Sequence, residues 1–310
     1  MNWVPTSIIV RGPNWIGDNI LALPFYRALR DVYPQAKLVW AGPESALLPS
    51  VQECFDAVRS LTGFYPAPFD LGISLPASFR AARWLYGSGA RRRVGYAEII
   101  ARPFYDDYLP WPGRTTGKHK SELYLDLLRW MSHSSLKTQT PSAVRTPEKL
   151  FVIAPGASIP LREWPYFPEL LIALEKKYPD HRLLLVGGET EKKWRTVYQR
   201  CGLRNTEEHF GRTSLADVEG LCRRAAVVIA NDSGLAHVAA TLASAPTVVL
   251  FGPGDPAYIH PRGPRVVAAF ASGVPCRPCE SAICRAPYGY QRCLRELSVD
   301  TVLARVAEAL

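Results

Sequence analysis

The stretch VVIANDSGLAHVAATLASAPTVVLFG, residues 227–252, decides the fold. Its opening run is apolar, as a strand buried on both faces requires, and Asn231, Asp232, Ser233 and Gly234 then break the run and open a helix. A second buried run, TVVLFG, follows after one helical crossover, so the stretch reads as a βαβ unit of a parallel sheet. The same rhythm extends upstream through LFVIAPG, FPELLIALEKKYP, RLLLVGG and SLADVEGLCRRA, and the chain closes on a helix from about Val299 to Leu310. Nearer the start, SIIV (7–10), KLVWA (37–41), AVRSL (57–61) and FDLGISL (69–75) read as strands. Residues 18–33, 77–86 and 118–132 have helical spacing, the last with Leu123, Leu127 and Trp130 at i, i+4 and i+7. Pro24 predicts a kink or a restart in the first of these helices. The polar segment SSLKTQTPSAVRTPEK (134–149), with prolines and no period, predicts a linker. The expected organisation is α/β, with two doubly wound Rossmann-like domains at 1–140 and 141–310.

Composition narrows the partners. A formal charge of +9, from 37 Lys and Arg against 28 Asp and Glu, suits nucleic acid, an anionic membrane face or a phosphorylated substrate. No RNA-recognition, zinc-finger or basic-zipper signature accompanies it, and Arg91, Arg92 and Arg93 form a short cluster rather than a stripe, so nucleic acid is not an expected partner. No stretch approaches the length of a membrane span, and the N-terminus lacks a secretory pattern. Cys54, Cys201 and Cys222 are scattered and four further cysteines cluster late, unlike a secreted disulfide framework. A cytoplasmic protein is expected.

Ligands of open parallel sheets bind beyond the carboxyl ends of the strands, so the loops there are the places to search. Asp18, at a helix start after the first strand, reads either as a cap or as a general base facing a hydroxyl. In PGASIPLREWP (155–165), Gly156 admits a close backbone approach, Ser158 offers a hydroxyl and Arg162 can pair with a diphosphate; the plain alternative is a surface loop with a solvated arginine and a buried Trp164. VGGETE (186–191) suits ribose hydroxyls or a simple turn. At Asn231–Gly234 exposed N–H groups and the helix dipole make a phosphate site, with His237 one turn on; the alternative is a cap and a core histidine. Neither the 155–165 loop nor VGGETE matches the dinucleotide fingerprint G-x-G-x-x-G or the P-loop. Cys276, Cys279, Cys284 and Cys293 offer one Cys-x-x-Cys knuckle, but the remaining spacings are not those of a zinc ribbon, which leaves structural thiols or a redox pair beside the metal reading.

Taken in order, RGPNWIGDNILALP, PGASIPLREWP, VGGETE, NDSGLAHVAATL, FGPGDP and PCRPC with CRAPYGYQRCL resemble the signature segments of the lipopolysaccharide heptosyltransferases, the family-nine glycosyltransferases. The resemblance runs from about Ile8 to Leu294. SFRAARWLYGSGARRRVGY and KHKSELYLDLL resemble the heptosyltransferase II branch. It implies a GT-B fold with two domains facing a cleft, an ADP-heptose donor, and inverting transfer without metal or other cofactor. It implies Asp18 as the base, Ser158, Arg162 and Glu191 as donor contacts, and Asp232, Ser233, Gly234 and His237 as the phosphate-binding helix start. Asn14, Arg80, Arg92 and His119 become acceptor contacts. The implied acceptor is a heptosyl- or Kdo-bearing lipid A core, reached at the inner face of the cytoplasmic membrane. The sequence departs from the family pattern at Arg162, where a lysine is common, at Glu163, which replaces a basic residue, and at Tyr290, where a histidine is expected. A related glycosyltransferase using another nucleotide sugar is the alternative reading, and an oxidoreductase using a nicotinamide and a basic binding protein are the rival classes.

Overall fold

Two parallel six-stranded sheets organise the chain, one in each of two units, Met1–Gln139 and Thr140–Leu310. The computed structural model describes residues 4–62, 68–113, 117–136 and 143–310. The expected linker at 134–149 overlaps residues 137–142, which lie outside the described residues. Among the described residues no helix is long and apolar enough to cross a membrane.

The first sheet comprises β1 (Ser7–Arg11), β2 (Lys37–Ala41), β3 (Ala57–Arg59), β4 (Leu71–Ser74), β5 (Arg92–Ala97) and β6 (Asp107–Pro110), in the order β3-β2-β1-β4-β5-β6. Ile9 of β1 lies level with Val39 of β2 and Gly72 of β4. The second sheet comprises β7 (Leu150–Ala154), β8 (Arg182–Leu185), β9 (Thr206–Glu208), β10 (Val227–Asn231), β11 (Thr247–Leu250) and β12 (Val266–Ala269), in the order β12-β11-β10-β7-β8-β9. Strand order reverses between β1 and β4 and again between β7 and β10. Loops leaving those neighbours diverge to opposite faces, and each divergence opens a ligand crevice at the carboxyl edge.

Every residue of β7 and β10 is buried, which is why their sequences are unbroken apolar runs. The strands read from the sequence do not include β5, β6, β9 or β12, although β12 (VVAA) is itself an apolar run. β5 opens on two arginines, β6 is an edge strand ending in Pro110, and β9 is a polar three-residue edge, so each lacks the uninterrupted apolar signal. The helix expected over 18–33 is two, Ile16–Leu21 and Leu23–Val32, with Pro24 in the first turn of the second, where its missing N–H costs nothing. In the helix Lys120–Ser132, Leu123 and Leu127 are buried, but Trp130 stands 36% exposed, off the core stripe. The core of the second unit joins Phe151, Phe167, Leu170, Ile229 and Val248 to Val302 and Val306 of the closing helix Val299–Ala309.

At the amino edge of the first sheet one device recurs three times. An aromatic residue followed by aspartate (Phe55-Asp56, Phe69-Asp70, Tyr105-Asp106) immediately precedes β3, β4 and β6. Each carboxylate accepts a backbone N–H from the neighbouring strand: Leu38 to Asp56 at 2.7 Å, Thr6 and Ser7 to Asp70 at 2.9 and 3.2 Å, Arg93 to Asp106 at 2.8 Å. The arginine cluster is committed here too, Arg93 to Asp106 at 2.7 Å and Arg92 to Asp107 at 2.8 Å. The Thr6 hydroxyl bond, with the backbone donors, holds the Asp70 carboxyl below its ordinary range.

A depressed carboxyl stabilises the fold fully at neutral pH, and the contribution is lost as pH falls through the carboxylate range. Asp70→Asn is expected to lower unfolding free energy by about 1–2 kcal/mol at neutral pH, with the gap to wild type closing in acid. Urea titrations above and below the ordinary carboxylate range read this, and a gap that does not change with pH contradicts it.

Candidate active site

In the first unit, the chain leaves β1 through a loop that a buried amide holds in shape. Asn19, fully buried in the helix Ile16–Leu21, donates from Nδ2 to the carbonyls of Pro13 and Trp15 at 3.0 and 3.1 Å. Its Oδ1 accepts from the Tyr26 hydroxyl at 2.8 Å, and burial pushes that phenol well above its usual pKa, so it stays a donor. Asn14 on the loop accepts from the buried Arg11 guanidinium. Asp18 sits in the first helical turn, favourable to a negative charge, and its Oδ1 lies 2.8 Å from Nζ of Lys120. Lys120 begins the helix Lys120–Ser132 and is only 17% exposed. His119 caps that helix, its Nδ1 accepting from the Ser121 N–H at 3.3 Å. The cap residue of the helix Ile16–Leu21 is Trp15, so Asp18 is not the cap; it is a first-turn carboxylate whose charge partner is Lys120.

Arg80, exposed in the first turn of the helix Phe79–Gly87, follows β4 and lies on the same carboxyl edge as Asp18. Arg92 does not. It opens β5 at the amino edge, paired with Asp107, so the structure does not bring it to Asp18. Lys120 and Asn19 are the residues that sequence reading passed over. Asn19 left one signal, a polar residue on the apolar side of a helix beside Asp18.

In the second unit a second buried amide does similar work. Asn231, fully buried at the end of β10, donates from Nδ2 to the Pro155 carbonyl at 2.6 Å and accepts the Trp164 N–H at 3.1 Å. Both ends of the 155–165 loop are thus tied to β10, and the Trp164 indole, itself buried, donates to the Leu297 carbonyl at 2.9 Å. Within that loop Ser158 is exposed, and Arg162 is not the solvated arginine of the plain alternative. It is 19% exposed, with Nη1 2.9 Å from Oδ2 of the buried Asp232 and Nη2 3.6 Å from Glu280.

Ser233 precedes the helix Gly234–His237, which widens into a π-turn over Val238–Leu242. Single π-turns recur at functional sites. Ser233 makes no side-chain cap bond; its Oγ is buried and has no hydrogen-bond partner among the described residues. A plain cap does not describe it. His237, one turn on, is 4% exposed.

Gly156 has a different task from the one its sequence suggests. A Cβ there would strike the side chain of Glu191, so the missing side chain makes room for a carboxylate on the chain itself rather than for a ligand alone. Glu191 is nearly buried, and accepts from the Gly188 N–H at 2.7 Å and the Thr190 hydroxyl at 2.9 Å. It is thereby fixed at the carboxyl edge between the loops after β7 and β8.

All seven cysteines are free thiols. Among the described residues no group of His, Cys, Asp or Glu is arranged to hold a metal, so the metal alternative for Cys276, Cys279, Cys284 and Cys293 lacks a ligand set. Cys293 is buried in the core, where burial raises its thiol pKa, and Cys276 packs against the same core. Cys276 and Cys293 thus serve the core, whereas Cys279 is exposed.

The sequence matches the family model of glycosyltransferase family 9 (heptosyltransferase) over residues 66–288. Lipopolysaccharide heptosyltransferase 2 of Escherichia coli (strain K12) is 24% identical over 299 residues, spanning 82% of this chain and 85% of its own. Among solved structures, the ADP-heptose lipopolysaccharide heptosyltransferase II of Escherichia coli matches with a TM-score of 0.75 at 20% identity, covering 98% of both chains. An Escherichia coli heptosyltransferase solved with ADP matches with a TM-score of 0.73 at 18% identity, covering 98% of this chain and 99% of that one. These two likenesses are of fold, and the fold is GT-B. The family match begins after Asp18 but takes in Ser158, Arg162, Glu191 and the Asp232–His237 turn, and it spans well over half of the sequence. The protein is therefore a glycosyltransferase that belongs to family 9, the heptosyltransferase family.

Proposed function

We propose that the protein moves a heptosyl group from an ADP-activated heptose to the inner core of a lipopolysaccharide acceptor, inverting the anomeric centre, with Asp18 as general base. The observation that carries this reading is the anion cradle of the second unit. Arg162 is fixed there by the buried Asp232, close in sequence to Ser233, whose buried hydroxyl has no hydrogen-bond partner among the described residues. A diphosphate supplies the acceptor oxygens that an arginine fork and a helix start take. Glu191 is placed for ribose hydroxyls, and Ser158, Gly234 and His237 complete the donor set. The sugar and the acceptor come from the relatives, which are lipopolysaccharide heptosyltransferases, one of them solved with ADP.

The chemistry is a single displacement. Asp18 takes the proton of the acceptor hydroxyl as its oxygen attacks the anomeric carbon from the face opposite ADP, and the bonding pair leaves with the β-phosphate. Charge on the leaving diphosphate is met by Arg162, the N–H groups around Ser233 and Gly234, and His237. With those donors in place the reaction draws on no metal. Lys120 holds the Asp18 carboxylate in one orientation, and Asn14, Arg80 and His119 are assigned to the acceptor. The formal charge of +9 suits an acceptor bearing phosphates and carboxylates, met at the inner face of the cytoplasmic membrane.

Asp18→Asn is expected to lose turnover by roughly 10²–10⁴-fold while ADP affinity, read by calorimetry, stays within about twofold. Near-normal transfer by that variant sinks the assignment. Lys120→Met is expected to lower turnover by about tenfold or more with the donor KM little changed, and Lys120→Arg to recover part of it. Gly156→Ala, whose methyl displaces Glu191, is expected to weaken ADP binding by about tenfold; unchanged affinity in a folded variant removes Glu191 from the donor site.

A further inference from the structure

The cysteine-bearing stretch has no part in the proposed chemistry, yet it is tied to the donor loops at several points. Between β12 and the helix Arg292–Arg295, residues 270–291 form neither helix nor strand. One anchor is on the loop after β11: Arg277 donates from Nε to the Gly252 carbonyl at 2.7 Å, and the N–H groups of Cys279 and Glu280 both donate to the Pro253 carbonyl, at 3.1 and 2.9 Å. The other is on the loop after β7: the buried Gln291 donates from Nε2 to the carbonyls of Leu161 and Glu163, at 3.1 and 2.9 Å, one on either side of Arg162. β7 and β11 flank β10, so these anchors hold the two loops adjoining the Asp232–Ser233 turn.

Two residues of this stretch accept left-handed backbone, Glu280 at φ 53° and Gln291 at φ 56°. Side chains other than glycine seldom adopt it, and where they do the strain marks a place the surroundings over-determine. They are the residues whose side chains engage Arg162 or its neighbours. The Glu280 carboxylate is 12% exposed, with Oε1 accepting the Asp255 N–H at 2.6 Å and Oε2 3.6 Å from Nη2 of Arg162. Asp232 holds the other terminal nitrogen, Nη1. Carboxylates from different loops thus flank the two arms of one guanidinium, Asp232 at 2.9 Å and Glu280 at 3.6 Å, and paired acids on both sides constrain its plane more than one partner does.

We propose that Glu280 is a positioning residue of the donor site, presented by the cysteine-bearing stretch so that, with Asp232, it sets the plane in which Arg162 meets the diphosphate. The proposal rests on the donor-site reading of Arg162 given above. An opposing effect exists: a second carboxylate beside Arg162 repels the incoming diphosphate. Orientation outweighs this repulsion if removing the carboxylate weakens ADP binding rather than tightening it.

The test is ADP binding by calorimetry, with donor KM and kcat, on Glu280→Ala, Glu280→Gln, Arg162→Ala and the Arg162→Ala/Glu280→Ala double variant, each checked for an intact thermal transition. Glu280→Ala is expected to weaken ADP binding by about tenfold, and Glu280→Gln, which keeps one of the two carboxylate oxygens as an acceptor, to weaken it by about threefold. In the Arg162→Ala background, Glu280→Ala is expected to cost less than about twofold more. Equal losses with and without Arg162 overturn the proposal, because Glu280 then serves only the 251–255 loop. Tighter ADP binding by Glu280→Gln also overturns it, because repulsion then dominates. An Arg162→Ala variant that binds ADP as wild type does removes the donor-site reading itself.

Discussion

A primary amide sealed from solvent must satisfy both its oxygen and its nitrogen, and the structure uses that constraint twice to fix a strand-end loop. Asn231 spends its hydrogen bonds on the two ends of the 155–165 loop, Asn19 on the turn just before its own helix. Leaving either end unmade costs a few kcal/mol in such a setting, so each loop has one stable path. Asp232 and Ser233 follow Asn231 directly in sequence, and Asp18 precedes Asn19. Asp18 and Asp232 therefore each take their place beside a buried, neutral neighbour in the chain.

Much of this could be read before any coordinates. Runs such as LFVIA and VVIAN are unbroken because both faces of their strands are covered, and Pro24 marked where one helix stops and another starts. Some strands failed to show because their sequence reflects something other than burial: β5 begins with Arg92 and Arg93 because they answer Asp107 and Asp106. Lys120 could not be found as the partner of Asp18, since the pair closes over about a hundred residues and no local period records it. Arg92 was misplaced for the complementary reason. An arginine in a basic cluster looks the same in sequence whether it awaits an anion or already has one. Gly156 was read as leaving room for a ligand, but the group that a Cβ there would meet is a carboxylate of the chain, delivered from beyond the next helix.

The excess of positive charge is likewise less free than a count suggests. Arg93, Arg92, Arg30 and Arg224 are engaged with carboxylates at 2.7–2.8 Å, several of them steadying strand starts. Exposed pairs of this kind add little stability each, yet they take their arginines out of the pool that meets a polyanion. Arg162 differs in being gripped by acids where an anion is expected. A guanidinium held that way is already oriented when a ligand arrives, and the ligand need not supply the ordering.

The aspartates at the starts of β3, β4 and β6 give the first sheet a stapled rim and a free one. At the stapled rim each strand is locked to its neighbour by a side chain that no turn sequence has to provide. Strand slippage, the usual hazard of remodelling a parallel sheet, is thereby resisted at the end away from the loops that follow β1, β4 and β5. Those loops can be lengthened, shortened or exchanged while the register holds. The first sheet is in that respect a chassis, with alteration confined to one rim and the security of the frame kept at the other.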